Sequence, residues 1–195
     1  MSKGKSLLLC LGTLMLSLLL TLSLSGCEAD NEYNMNYQCY FTFDTQLHNT
    51  TLLRNALNPM APGIYALVSC APVNGVRTVH IELNDGKNTE DIAITTAREN
   101  YTTWVLGTNN AIIVGYSSLG NGLYAFDRQC PNCISDYNLY KYPLSWNNNG
   151  QWVQCGKCHR KYDLNNNGFI VEGDKGSKLV RYRANYDGTI LSVFN

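Results

Sequence analysis

Two Cys-x-x-Cys turns, Cys130-Pro-Asn-Cys133 and Cys155-Gly-Lys-Cys158, constrain this chain more than any other feature. A tight turn holding cysteines three apart aims both sulfurs at one point, so two such turns facing each other make a tetrahedron of thiolates. The pairs follow the pattern C-x2-C-x21-C-x2-C, which suits a zinc-ribbon or rubredoxin-like metal site. The competing use of these thiols is a pair of disulfides or free dithiols, which an extracytoplasmic location keeps open.

The N-terminus argues for that location. Lys3 and Lys5 precede an apolar run over residues 7–24, followed by Leu24-Ser25-Gly26-Cys27. The run ends in small residues and has no positive flank after it, so it reads as a cleaved secretory signal, residues 1–26, rather than a retained membrane span. Leu-Ser-Gly-Cys resembles the lipobox of bacterial lipoproteins. That resemblance implies a covalent lipid such as palmitate on Cys27 as membrane anchor; the alternative is an ordinary cleavage site that happens to precede a cysteine. Residues 27–36 then form the anchor and a polar, flexible tether, and residues 37–195 a β domain. Glu28, Asp30 and Glu32 are similar to export signals of surface lipoproteins in Bacteroides-like bacteria. The expectation is a Gram-negative outer-membrane lipoprotein in the cell envelope, with exposure at the surface as its finer form.

The chain balances 15 basic against 15 acidic residues, and removing Lys3 and Lys5 with the signal leaves 13 basic. Nothing in this near-neutral balance suggests a nucleic-acid footprint, so no nucleic-acid partner is expected. Of the remaining cysteines, Cys39 and Cys70 lie in two apolar, strand-like segments, where they could form a disulfide or remain two buried thiols.

Strand composition recurs over residues 37–43, 64–70, 77–83, 111–116, 123–126, 151–154, 168–171, 178–186 and 189–194, with Asp187-Gly188 as a hairpin turn. Residues 51–57 could form a short helix, and residues 84–100 read as a polar linker. Neither Cys-x-x-Cys precedes a helical pattern. The pattern predicts an all-β domain, antiparallel, carrying a zinc-ribbon-like subdomain with two metal-binding turns.

The flanks of the cysteines carry a second resemblance, over residues 111–195. Ile112-Ile-Val-Gly115 and Leu123-Tyr-Ala-Phe-Asp-Arg-Gln-Cys-Pro131 resemble the Rieske strand entering its first cluster loop. Cys155-Gly-Lys-Cys158, Tyr162-Asp163-Leu164, Gly168, Gly173, Leu179 and Tyr182 resemble the second loop and closing strands. The resemblance implies a Rieske-like fold in residues 37–195, with residues 37–110 as N-terminal extension strands and 111–195 as the core. A group of lipoproteins from Bacteroides-like bacteria shares such a body.

The sequence departs from that family where the chemistry lies. Asn132 and Cys158 stand where the two ligand histidines belong, so the expected metal ligands are Cys130, Cys133, Cys155 and Cys158. His159, beside Cys158, is expected in the second shell or on the surface, and His48 and His80 elsewhere. A [2Fe-2S] centre with four thiolates carries two more negative charges than a Rieske centre. It would sit near the plant-type ferredoxins at about −400 mV rather than roughly −150 to +300 mV. The n-region Ser2-Lys-Gly-Lys-Ser6 lacks the twin arginines that export of a folded cluster protein would use, which favours Zn2+ over [2Fe-2S].

Three functions compete: a structural-zinc binding or assembly module with an envelope protein partner, a [2Fe-2S] electron-transfer protein, and a metal-free thiol or disulfide module. None needs the chain to be an enzyme, and no Ser/His/Asp grouping, paired catalytic carboxylates or phosphate-cradling glycine loop is legible. Tyr137, Tyr140, Tyr142 and Trp146, between the two turns, could shield a metal or form a contact patch.

Overall fold

The computed structural model describes residues 32–33, 35–120 and 122–195; the signal segment and the expected lipid site at Cys27 lie outside them. The strands are β1 (Cys39–Asp44), β2 (Tyr65–Val73), β3 (Val76–Leu83), β4 (Thr89–Ala93), β5 (Val105–Leu106), β6 (Ala111–Tyr116), β7 (Leu123–Asp127), β8 (Leu144–Asn147), β9 (Trp152–Cys155), β10 (Lys161–Asp163), β11 (Phe169–Glu172), β12 (Arg181–Tyr186) and β13 (Ile190–Phe194). Among the described residues three short α-helices, α1 (Thr51–Ala56), α2 (Ala97–Tyr101) and α3 (Pro131–Tyr137), and one 3-10 turn (Asn148–Gly150) interrupt them.

Nine strands make one sheet in the order β4-β3-β2-β6-β7-β12-β13-β1-β5, and β11-β10-β9-β8 make a second. Every pairing between neighbouring strands is antiparallel. The mostly-β expectation holds at this level. The division at residue 110 needs correction: β1 pairs with β13 and β2 with β6, so residues 37–110 are woven into the main sheet rather than added to it.

Local chemistry explains the hairpins. Asn74 and Gly75, both at positive φ (50° and 80°), join β2 to β3, the Asn-Gly turn that matches strand twist. At the other end, the Asp187 carboxylate accepts hydrogen bonds from the Thr189 and Ile190 amides (2.8 and 2.7 Å), fixing the turn between β12 and β13. Thr50 caps α1 by accepting from the Leu53 amide (3.3 Å), and the helix packs Leu53 and Ala56 onto the sheet.

Two apolar cores flank the middle of the large sheet. Ala66, Val68, Ile112, Val114 and Ala125 face the first core with Phe41, Phe43, Leu53 and Leu191, whereas Tyr65, Ile113 and Phe126 face the second, which contains the small sheet. Strands covered on both sides read as continuous apolar runs, as Ala111-Ile-Ile-Val does. The small sheet belongs to an excursion of the chain between β7 and β12, which are themselves neighbours in the large sheet. Tyr65 Oη crosses the interface to donate to the Leu164 carbonyl (3.0 Å). Gly115, opposite Tyr65, leaves room for it, since a Cβ there would fall 2.7 Å from the ring.

Cys39 and Cys70 are buried free thiols, so the structure contains no bond between them. Four strands separate β1 from β2 in the sheet order, and the Cys39 thiol points to the Val193 carbonyl (3.9 Å). Burial pushes the Cys39 thiol up to about 12. The tether also ends earlier than expected, because Tyr33 receives the guanidinium groups of Arg181 and Arg183 over its ring at 5.3 and 4.9 Å.

Ile112→Ala and Ile113→Ala should each lower unfolding free energy in urea by about 2–5 kcal/mol, because each empties a different packed core. A cost for Ile113→Ala below about 0.5 kcal/mol would mean that the second face is not a core.

Candidate metal centre

The first pair of cysteines is set by a helix start. Cys130 is the N-cap of α3 (φ −66°, ψ 116°) and Pro131 occupies its first turn, where a missing N–H costs nothing. N-cap and N3 side chains lie on one side of the first turn, so Cys130 and Cys133 point together. This corrects the expectation that neither Cys-x-x-Cys opens a helix: α3 is seven residues long, too short to leave an apolar period. Asn138, in the left-handed region (φ 52°), stops it.

The second pair sits on the β9–β10 turn. Cys155 N–H donates to the Arg160 carbonyl (3.1 Å) and His159 N–H to the Cys155 carbonyl (3.0 Å), with His159 at φ 60°. The Lys157 amide points at Cys155 Sγ (3.4 Å).

All four sulfurs lie within 4.8 Å of one another. Cys130 Sγ is 3.6 Å from Cys158 Sγ, and Cys133 Sγ is 3.5 Å from Cys155 Sγ. Metal–thiolate bonds of about 2.3 Å in a tetrahedron put sulfurs about 3.8 Å apart, so this donor set fits one metal ion. Cys130, Cys133 and Cys155 are buried, and Cys158 is partly exposed.

Three side chains surround the sulfurs. Tyr162 Oη lies 3.3 Å from Cys130 Sγ and accepts a hydrogen bond from Asn132 Nδ2 (2.9 Å), leaving its own proton to point at the sulfur. Asn132 is itself clamped, donating to the Ser177 carbonyl and accepting from the Ser177 amide, both 2.8 Å. Gly176 permits this approach, because a Cβ there would collide with the Asn132 amide oxygen. Arg160 lies against Cys158, pairs with Asp136 (3.0 Å), and donates to the carbonyls of Asp174 (3.0 Å) and Lys175 (3.2 Å). It ties the second turn to α3 and to the segment beyond β11.

The thiols cannot ionise independently at this spacing. Cys155 is drawn well below its usual value, first by the Cys130 thiol and then by the backbone amides of Cys158 and Lys157. Cys130 moves up through its bond with Cys155 and through burial, while burial first and Cys155 second push Cys133 up to about 12. Contact with Cys158 chiefly, and with Asp136, holds the Arg160 guanidinium firmly protonated. Cys155 is thus favoured as a thiolate while Cys130 and Cys133 keep their protons, which a cation must displace to bind.

His159 is exposed on the surface; the side chain behind the second turn is Arg160. His48 pairs with Glu99 (2.7 Å) and His80 with Asp91 (2.6 Å), neither near the sulfurs. Trp146 and Tyr142 pack on the second core, whereas Tyr137 and Tyr140 are exposed, with Lys157 5.4 Å above the Tyr137 ring. Asn132 and Tyr162 were visible in the sequence as family positions, but no pattern announced their hydrogen-bonded contact or the role of Arg160.

Because Cys130 and Cys133 are held protonated, metal uptake at neutral pH should release at least two protons per ion. Affinity measured by chelator competition should therefore rise roughly a hundredfold or more per pH unit between pH 6 and 8, and a flat profile would contradict the protonated resting state. No family model, curated protein or solved structure matches this chain.

Proposed function

We propose that the chain is a lipid-anchored, Rieske-like β module in which Cys130, Cys133, Cys155 and Cys158 hold one structural zinc ion, and that it serves as a binding or assembly component of the bacterial envelope rather than as an enzyme. The observation that carries the metal assignment is the approach of all four sulfurs to within 4.8 Å. One ion at the centre of a tetrahedron satisfies that span. A two-iron cluster places two thiolates on each iron and separates the pairs by the iron–iron distance, so it calls for a wider set.

The Rieske-like part of the reading is supported by the two cysteine-bearing turns at one end of a small antiparallel sheet, and by its insertion between two adjacent strands of a larger sheet. It is opposed by the ligand set, which has no histidine. A Rieske centre with two neutral imidazoles does not fit these residues. Zinc when bound supplies no redox chemistry; it would fix α3 to the β9–β10 turn. Around it, Arg160 and the Tyr162 hydroxyl offset the negative charge of four thiolates. Anchoring through Cys27 at the outer membrane rests on the lipobox and the acidic residues behind it.

An iron centre for electron transfer is the second reading, favoured by the family resemblance and by the chemistry of four thiolates, which also suits iron. Metal analysis and an absorption spectrum of the purified protein separate the two. About one zinc per chain and no visible absorption is the expected result; brown protein containing iron and labile sulfide overturns it. Cys155→Ser should cost at least ~3 kcal/mol, lowering the melting temperature by about 6–12 °C, since metal-binding energy is folding energy. Wild-type melting in this variant would sink the staple.

A further inference from the structure

The two close sulfur approaches given above, Cys130 to Cys158 and Cys133 to Cys155, each cross from one turn to the other. Exposure is unequal: three sulfur-bearing residues are fully buried, and Cys158 is partly open at the tip of the second turn. A reagent arriving from solvent therefore meets Cys158 first. Cys130 lies directly behind it.

Resting on the zinc-staple reading, we propose that Cys158 is a thiolation site for small disulfides, and that its modification exchanges the metal for two cross-turn disulfides, Cys130–Cys158 and Cys133–Cys155. The chemistry balances with the small disulfide, RSSR, as oxidant. The Cys158 thiolate attacks one sulfur of RSSR, forming a Cys158–SR mixed disulfide and expelling RS⁻. The Cys130 thiolate then attacks the Cys158 sulfur, the bond to SR breaks, and a second RS⁻ leaves. Two electrons have passed from the cysteine pair to RSSR. With two of its four ligands gone the zinc ion departs as Zn2+, unchanged in oxidation state. Departure of the ion loosens the second turn and opens Cys133 and Cys155 to a second RSSR, which oxidises them by the same two exchanges and again releases two RS⁻.

Geometry selects this connectivity. Each crossing pair must close by only about 1.5 Å to reach the disulfide bond length of about 2.05 Å. The crossing bonds span 28 and 22 positions of sequence, so they tie α3 to the β9–β10 turn as the metal does. Bonds within each Cys-x-x-Cys would staple each turn to itself and leave the two elements unjoined. The exchange therefore keeps the fold closed.

The test uses the full chain in detergent, loaded with zinc and treated with oxidised glutathione, with a chromogenic chelator reporting zinc. Remaining thiols are alkylated and the disulfides mapped by mass spectrometry after non-reducing digestion. The expected result is one zinc released per chain, with peptides joined Cys130 to Cys158 and Cys133 to Cys155. Any other pairing overturns the proposal, whether Cys130 to Cys133 with Cys155 to Cys158 or Cys130 to Cys155 with Cys133 to Cys158, as does resistance of all four thiols to oxidation. A chain that takes up no zinc defeats the staple reading, while its disulfide map still decides the thiolation site and the connectivity. In Cys130→Ser the glutathione adduct should be trapped on Cys158; an adduct on Cys133 or Cys155 instead would place the entry point elsewhere. Should that variant not fold, the wild-type map alone decides.

Discussion

Three strands in the middle of the large sheet, β2, β6 and β7, are apolar on both faces, and both faces must be covered. Tyr65, Ile113 and Phe126 on one side would each forfeit roughly 1.5–3 kcal/mol if left in water. The chain meets this requirement by leaving the sheet after β7 and laying a second sheet over those side chains before it re-enters beside β7 as β12. The cysteine turns are part of that covering layer. Cys130, Cys133 and Cys155 pack in the same cluster as Ile113 and Phe126, so the four-cysteine cluster is an extension of a hydrophobic core rather than a loop appended to it.

Burial in that core explains why the sulfurs need polar company. Four thiolates around a divalent ion would carry net negative charge in a poorly solvated place, and such charge would have to be met by donors. The donors divide by sulfur. Tyr162 Oη serves Cys130, the backbone amides of the second turn serve Cys155, and Arg160 serves Cys158, the sulfur nearest solvent. Each donor is itself fixed: Tyr162 by Asn132, and Arg160 by Asp136 and two backbone carbonyls.

What could be read from sequence follows from what leaves a local trace. Strands buried on both sides, such as Ala111–Tyr116, write an unbroken apolar run, and the Asp187-Gly188 turn announces its hairpin. β4 (Thr89–Ala93) carries one buried residue, Ile92, and α2 buries none, so both were absorbed into a polar linker. α3 hid behind its own cysteines, its only local helix signal being the proline after Cys130. The four ligands were legible because their spacing is itself the chemistry. Their neighbours were less so, since the contact between Asn132 and Ser177 spans 45 positions and exists only after both sheets have formed. The choice left open for Cys39 and Cys70, bonded or two buried thiols, was not legible for the complementary reason: two strand-like segments show a shared core but not the order of strands that separates them.

Asn132 fixes the first turn to the rest of the fold. Its short amide bridges the Tyr162 hydroxyl and the Ser177 backbone, and so buttresses the Cys130 sulfur beside it. Cys133, one residue later and on the cysteine-bearing side of the first helical turn, then supplies the donor. At the second turn the arrangement is simpler, because Arg160 lies directly against Cys158. The two turns thus reach the same tetrahedron by different local routes.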